Sequence, residues 1–139
     1  MWEKSRSMKR ALCLVFVAAA ALLAAPAAHA RLAVLAVNCG SGKYKPKQIV
    51  FACADAGSMV VELRWSSWGG DVARARGRYR WNDCRPACAG GTIRYVRARV
   101  RLERPKPCAG KSRRYYQRAV VSRADGRRFA VKLGCPWSI

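Results

Sequence analysis

The sequence has little histidine and little acid: one histidine, His29, and seven acidic residues stand against 28 lysines and arginines. His29 falls in an N-terminal segment with the pattern of an export leader, so the rest of the chain has no imidazole. Without imidazole, the rest of the chain cannot build a histidine-activated nucleophile or a mixed cysteine and histidine metal site. The sequence therefore predicts a domain that is not an enzyme and that holds no metal and no cofactor.

The six carboxylates outside the leader give little support for hydrolysis. Asp55 and Asp125 lie in turn-like sequences, where the backbone favours aspartate. Glu62 and Glu103 lie among arginines in alternating segments, a setting that favours ion pairing over the paired acids of a glycosidase. A hydrolase that uses carboxylates alone is the weakest of the functional alternatives.

No segment after the leader has the apolar period of a helix. Apolar and polar residues alternate with period two, which is typical of half-buried strands, in residues 58–65, 73–81, 94–102 and 128–135. Two less regular apolar runs, 48–53 and 114–121, bring the number of expected strands to about six. The predicted fold class is all-β: an antiparallel sandwich or small barrel, one face buried, stapled by disulfides.

Turn-forming residues separate these segments. The sequences ADAG at 54–57 and ADGR at 124–127 predict tight hairpin turns, and Gly69-Gly70 predicts a break. The glycine-ended stretch 84–91 predicts a longer loop. Pro105 and Pro107 predict a connection or an edge strand for 103–111, because proline donates no backbone hydrogen bond.

Residues 1–30 have the organisation of a secretory signal peptide. A basic start is followed by an apolar run over 11–25 and by a small-x-small site at 28–30. The prediction is that this leader is removed and that 31–139 form a single secreted domain without a membrane span. The alternative is a retained anchor, because the apolar run approaches the roughly 20 residues that span a bilayer.

Six of the seven cysteines lie outside the leader: Cys39, Cys53, Cys84, Cys88, Cys108 and Cys135. An even count in a small exported domain predicts three disulfides, each worth on the order of 2 to 4 kcal/mol. Sequence alone leaves fifteen pairings open. We expect nearest neighbours along the chain to pair. The close pair in CRPAC has no second such pair to complete a zinc site and lacks the two-residue spacing of a redox motif.

The strongest functional feature is an excess of arginine. Without the leader, 24 basic residues face six acidic ones, a net charge of +18, and eighteen of the basic residues are arginine. Seven of them occupy polar positions of two alternating segments: Arg74, Arg76, Arg78, Arg80, Arg97, Arg99 and Arg101. If both rows share one sheet face, they form a surface suited to anionic polymers. A GC-rich genome that favours arginine codons, or a solvated face that protects edge strands, is the alternative explanation.

The tryptophans are expected to serve packing. Trp65 and Trp81 are in register with the apolar positions of their segments, so both are predicted to join the core. Trp68 follows beyond the end of its strand, where packing is one interpretation and an exposed stacking platform is the other.

Three short motifs resemble a known set of proteins. An ACADAG-like turn at 53–57, WSSWG at 65–69 and NDCxPxCAxG at 82–90 are similar to those of small exported bacterial proteins, chiefly actinobacterial. The resemblance covers most of the chain after the leader. It implies a secreted β-domain and brings no biochemical activity with it.

These observations lead to one functional hypothesis and one alternative. The domain is expected to be secreted and to bind anionic polymers of the cell envelope or its surroundings through the arginine rows. The alternative is a secreted inhibitor or other module that binds a protein partner through the cysteine-closed loop 84–91.

Overall fold

The computed structural model describes residues 33–137, and the expected leader at 1–30 lies outside them. The described residues form eight strands and one short 3-10 turn, Cys88–Gly90. The strands are β1 Leu35–Asn38, β2 Ser41–Lys43, β3 Ile49–Val50, β4 Ser58–Ser67, β5 Val72–Asn82, β6 Ile93–Pro107, β7 Arg114–Arg123 and β8 Arg128–Lys132. The all-β prediction is confirmed, and the two strands beyond the expected six are the short β1 and β2.

All eight strands belong to one sheet. Its order is β2-β1-β7-β6-β5-β4-β3, with β8 added beside β7. Neighbours are antiparallel except β1 and β7, which run parallel over residues 35–36 and 115–116. A single sheet can bury its apolar face only by curling, and this one curls into a half-barrel. The barrel-like form of the expected architecture is therefore the one observed.

The ends of the curled sheet are joined by side chains. The Asn38 amide donates to the Gln48 carbonyl oxygen at 3.2 Å and accepts from the Val50 amide nitrogen at 3.0 Å. The Cys39–Cys53 disulfide links the same two regions, the ends of β1 and β3. The Asn38 side chain and the Cys39–Cys53 disulfide thus join β1 and β3 in place of a ladder of backbone hydrogen bonds.

The core lies on the inner face of the curled sheet. Leu63, Leu102 and Tyr116 are fully buried there, and alanines on β5, β6 and β7 pack between them. Small residues suit this face because a tightly curled sheet leaves little room inside it. The outward positions of the same strands carry the arginines.

A bulge in β4 reverses the direction of its side chains. Val61 is opposite Arg78 while Arg64 is opposite Arg76, so three residues of β4 span two of β5. The extra residue, Glu62, has a φ of 56°, in the left-handed region. The unbroken alternation expected over 58–65 is therefore wrong: before the bulge Val60 faces the core, and after it Leu63 does.

Gly77 lies opposite this bulge, in close contact with it. A Cβ atom at position 77 would lie 2.5 Å from the Val61 carbonyl oxygen and 3.1 Å from the Leu63 side chain. We expect Gly77→Ala to lower the free energy of unfolding by about 1 to 3 kcal/mol, because the main chain of β4 must move. Urea denaturation measures the change. Gly90→Ala, where a Cβ meets nothing within 4 Å, is the control, and equal effects of the two variants would contradict the prediction.

The two prolines of 103–111 lie in β6. The ladder between β6 and β5 ends at Glu103, whereas the ladder between β6 and β7 continues to Pro107. Pro105 and Pro107 thus lie where β6 has only β7 as its ladder partner among the described residues. The edge-strand prediction fits 105–107, and residues 108–111 lie in the predicted connection, between β6 and β7.

The three expected disulfides form: Cys39–Cys53, Cys84–Cys88 and Cys108–Cys135. The expected turn at 124–127 joins β7 to β8, closed by a 2.8 Å hydrogen bond from the Arg123 amide to the Arg127 carbonyl oxygen. At 54–57 the Asp55 carboxylate accepts the Gly57 amide at 2.8 Å. The turn at 124–127 is a tight hairpin turn as predicted, whereas 54–57 lies in a longer connection, 51–57, between β3 and β4.

Candidate anion-binding surface

The outward face of β5 and β6 carries three directly paired arginines. Their Cα partners are Arg74 with Arg101, Arg76 with Arg99, and Arg78 with Arg97. Opposite Cα atoms in an antiparallel pair are about 4.5 to 5.5 Å apart, and successive rungs on one face are about 7 Å apart. We call these six residues the arginine ladder.

Arg80, the seventh predicted residue, continues the row but does not join the ladder. Its partner on β6 is Tyr95, and its guanidinium donates to the Ala56 carbonyl oxygen at 2.9 Å. Arg80 is half-buried and holds the loop before β4. The structure thus brings six of the seven predicted arginines together and gives Arg80 a structural contact.

The two outer rungs of the ladder each have an acidic neighbour. Glu62, the bulge residue, pairs with Arg78 and raises the pKa of its guanidinium above the usual value. The Arg78 guanidinium also lies 4.6 Å from the centre of the Tyr95 ring. At the other end, Glu103 pairs with Arg101. Charge at both ends of the ladder is therefore partly neutralised.

The middle rung has no such neighbour. Within residues 33–137, neither Arg76 nor Arg99 has a carboxylate within ion-pair distance. Both side chains are exposed. The uncompensated positive charge is consequently greatest at the centre of the ladder.

The middle rung is part of a longer row that runs across the strands. Arg64 on β4 is opposite Arg76, and Ser122 on β7 is opposite both Arg99 and Arg128. Four guanidinium groups and one hydroxyl thus line up across five strands, and none of the four arginines is in an ion pair within the described residues. Arg64 and Arg128 are additional to the predicted site. Both occupy polar positions of alternating segments, but the sequence does not show which strands are neighbours.

The long arginine side chains enclose two adjoining depressions on this face. The larger, about 510 Å³, lies over Ala75 and Val100. Its charged and hydroxyl-bearing walls are Ser66, Arg74, Arg76, Arg99, Arg101, Ser122 and Arg128. The second, about 420 Å³, shares Arg76, Arg99 and Ser122 and extends to Arg97. No carboxylate lines either depression, so an anion would meet only donors and apolar stems.

Such a surface favours multivalent oxyanions. Like charges placed directly opposite one another in a sheet repel, and a bound anion removes that repulsion. The planar guanidinium group matches the oxygens of phosphate, sulfate or carboxylate with two parallel hydrogen bonds. The serine hydroxyls add neutral donors between the charges.

The loop 84–91 is a separate exposed feature with a rigid base. The Asn82 side chain accepts from the Cys84 amide at 2.9 Å and donates to the Cys88 carbonyl oxygen at 2.8 Å. A Cβ at Gly91 would lie 2.0 Å from the Asn82 side-chain oxygen, so only glycine fits there. Residues 85–90 are all exposed. The loop therefore presents a fixed backbone to the solvent.

Asp83 completes the base of this loop. Protonation of its carboxylate should weaken the hydrogen bonds that hold the loop. Its carboxylate accepts the Thr92 amide at 2.8 Å, and this bond, with help from Arg85 and Arg94, lowers the carboxyl pKa. Because the pKa is lower in the folded chain, the stabilisation is complete above the unfolded value of about 4 and is lost as pH falls below it. We expect the protection factor of the Thr92 amide, measured by hydrogen exchange and NMR, to fall only below that pH.

Asp83→Asn is the control for this titration. The variant has no carboxyl group to titrate at position 83, so its Thr92 protection factor should show no acid transition. A transition in the parent protein at or above the ordinary aspartate pKa would contradict the assignment.

The tryptophans pack against the core. Trp68 donates its ring N–H to the Val34 carbonyl oxygen at 2.9 Å, and its ring lies edge-on to Trp65 and Tyr116. Trp81 stacks on Tyr79. Trp65, Trp68 and Trp81 all contact the main core cluster, which favours the packing interpretation of Trp68 over a stacking platform, whereas Trp137 is exposed.

The described residues contain no group of three or more potential metal ligands. Over the same residues no helix is long and apolar enough to cross a membrane. Of the carboxylates, Glu62, Asp83, Glu103 and Asp125 each lie in an ion pair with arginine. Asp55 and Asp71 are in no ion pair within residues 33–137.

No family model, no curated protein and no solved structure matches the chain. The resemblance to small exported bacterial proteins therefore stays a prediction, and the arginine-bearing surface is the basis for a function.

Proposed function

We propose that the protein is a secreted, non-catalytic domain that binds anionic polymers of the cell envelope or its surroundings through the arginine ladder. The observation that carries the proposal is the middle rung, Arg76 with Arg99, whose charge no carboxylate of the described residues neutralises. Arg64 and Arg128 extend the same row across the sheet. Three disulfides in so small a domain support an oxidising location outside the cytoplasm.

A polymer suits this surface better than a single small anion. The charges extend along three rungs and across five strands, so several anionic groups can bind at once. Each group that binds also releases counterions from the polymer, which adds to the affinity and makes it fall with salt. The charges face outward on a continuous sheet, where a long chain can lie without steric hindrance.

Salt-dependent binding to immobilised heparin, followed by binding to isolated anionic cell-wall material, tests the proposal. We expect the logarithm of the affinity to fall linearly with the logarithm of salt concentration. Replacing Arg76 and Arg99 together with Gln should reduce the slope by about one for each anionic group that the variant no longer neutralises.

The matched control replaces Lys111 and Arg113 with Gln, which removes the same charge at exposed positions away from the ladder. It should leave most of the slope intact. Equal reductions of the slope in the two double variants would show that net charge alone drives binding, and elution at very low salt without dependence on ionic strength would refute the proposal.

The fixed loop 84–91 supports a second candidate, a module that binds a protein partner. Its backbone is held by Asn82, Asp83 and the Cys84–Cys88 disulfide, so little conformational entropy is lost on binding. A partner from culture supernatant that is retained at high salt would favour this function, since binding of a loop in a pocket depends little on counterions. That retention should be abolished in Arg85→Asp and preserved when Arg76 and Arg99 are replaced.

A further inference from the structure

The arginine ladder has a fixed pitch along its strands. Successive rungs are two residues apart on both β5 and β6, and two residues of an antiparallel strand rise about 7 Å. Two residues of main chain also correspond to six consecutive covalent bonds in an extended path. The ladder is thus a row of paired cations repeating every six backbone bonds.

A phosphodiester chain with three carbon atoms between phosphates has the same repeat. From one phosphorus to the next, the path P–O–C–C–C–O–P also contains six bonds, and fully extended it covers a similar distance of about 7 Å. A polymer of this kind laid along the strands would place one phosphate over each rung. Inorganic polyphosphate, with two bonds per repeat, would crowd its charges instead.

The two depressions lie in series along the same direction. They share the middle rung, Arg76 with Arg99, together with Ser122. The larger extends to the rung of Arg74 and Arg101, and the smaller extends to Arg97 in the opposite direction. The two depressions therefore form one open path along the strand direction that reaches a residue of every rung, as an extended chain with one phosphate per rung requires.

Acidic residues limit the ladder at both ends. Glu62 lies on Arg78 at one end, and Glu103 lies on Arg101 at the other. Their negative charge weakens phosphate binding at both outer rungs. The ladder is consequently matched to about three consecutive phosphates, with the tightest site in the middle.

The surroundings of the ladder offer no platform for nucleobases. Proteins that bind single-stranded nucleic acid combine a basic groove with aromatic rings on which bases stack. The described residues place one exposed aromatic ring beside the ladder, Tyr95, and the Arg78 guanidinium already covers it at 4.6 Å. The surface therefore recognises phosphate groups and the distance between them.

We infer that the arginine ladder binds an extended polyol phosphate: a phosphodiester polymer with three carbon atoms between phosphates and without bases. The polymer lies along β5 and β6 with one phosphate per rung. This inference rests on the proposed function and adds the class of polymer to it.

Synthetic oligomers of equal charge test the pitch with the whole exported protein. Three fluorescent probes each carry six phosphates: a propanediol phosphate oligomer, a triethylene glycol phosphate oligomer with a longer repeat, and an oligothymidylate. Fluorescence anisotropy at one fixed salt concentration gives the affinities. We expect the propanediol oligomer to bind at least tenfold more tightly than the triethylene glycol oligomer, and at least as tightly as the oligothymidylate.

Two double variants identify the surface responsible. Replacing Arg76 and Arg99 with Gln should reduce the tenfold preference for the short repeat to less than threefold. Replacing Lys111 and Arg113 with Gln should lower all affinities slightly and leave the preference unchanged.

Each contrary result would overturn a different claim. Equal binding of all three oligomers overturns the inference on pitch and leaves the proposed polyanion function standing. Tenfold tighter binding of the oligothymidylate overturns the base-free assignment in favour of nucleic acid. No binding of any oligomer, even at low salt, overturns the proposed function together with the inference.

Discussion

Replacing Tyr116 with Ala is expected to lower the free energy of unfolding by about 3 to 5 kcal/mol, because a fully buried ring leaves a cavity. The ring packs edge-on against Trp68 at 5.4 Å between centres. Its hydroxyl donates to the Gly70 carbonyl oxygen at 2.9 Å and accepts from the Gly69 amide at 3.1 Å. One side chain thus attaches β7 to the turn between β4 and β5. Urea denaturation followed by tryptophan fluorescence measures the change in stability.

Tyr116→Phe removes the hydroxyl and keeps the ring, so it separates the contributions of the two to stability. Burial raises the pKa of the Tyr116 phenol, so the group stays a protonated donor at neutral pH. Its partners Gly69 and Gly70 are exposed, and water can replace the missing hydroxyl, so the cost should be only about 1 kcal/mol. If Tyr116→Phe costs as much as Tyr116→Ala, packing is not the main contribution of this residue.

Removing the Cys108–Cys135 disulfide by replacing both cysteines with Ser is expected to cost about 3 to 4 kcal/mol. This bridge has the longest sequence separation of the three, 27 residues, and its loop contains β7 and β8. Because a longer loop loses more entropy on closure in the unfolded chain, removal of this bridge should have the largest effect. Non-reducing peptide mass spectrometry of the exported protein checks the pairing, and urea denaturation checks the energy.

The Cys84–Cys88 bridge provides the comparison. Its sequence separation is 4 residues, so replacing both cysteines with Ser should cost about 2 kcal/mol and chiefly loosen the exposed loop. If the two double variants are destabilised equally, loop closure does not explain what these bridges contribute.

Much of the fold could be predicted from local pattern. In β5 and β6 the alternation of apolar residues with arginine identifies each strand and its outward face, because neighbouring side chains of a strand always point to opposite sides. The Cys84–Cys88 pair is local in the same sense, because its cysteines are four positions apart. These features depend on residues a few positions apart.

The features that sequence reasoning missed depend on packing between distant segments. The bulge at Glu62 is needed to fit β4 onto β5, and no local signal marks it. The short strand β1 pairs in parallel with β7, some eighty residues later in the chain. Arg64 and Arg128 join the site only because β4 and β8 lie in the same curled sheet.

The sequence by itself determined that this is a basic β-domain whose arginines occupy the outward positions of two strands, because strand alternation is a local property of the chain. Only the tertiary structure decided that Arg76 faces Arg99 and that Arg64 and Arg128 extend the same row. Register is set by how all strands jointly bury one apolar face, and a shift by one residue would turn every side chain over. The pairing that makes this surface a candidate site is therefore a property of the folded sheet.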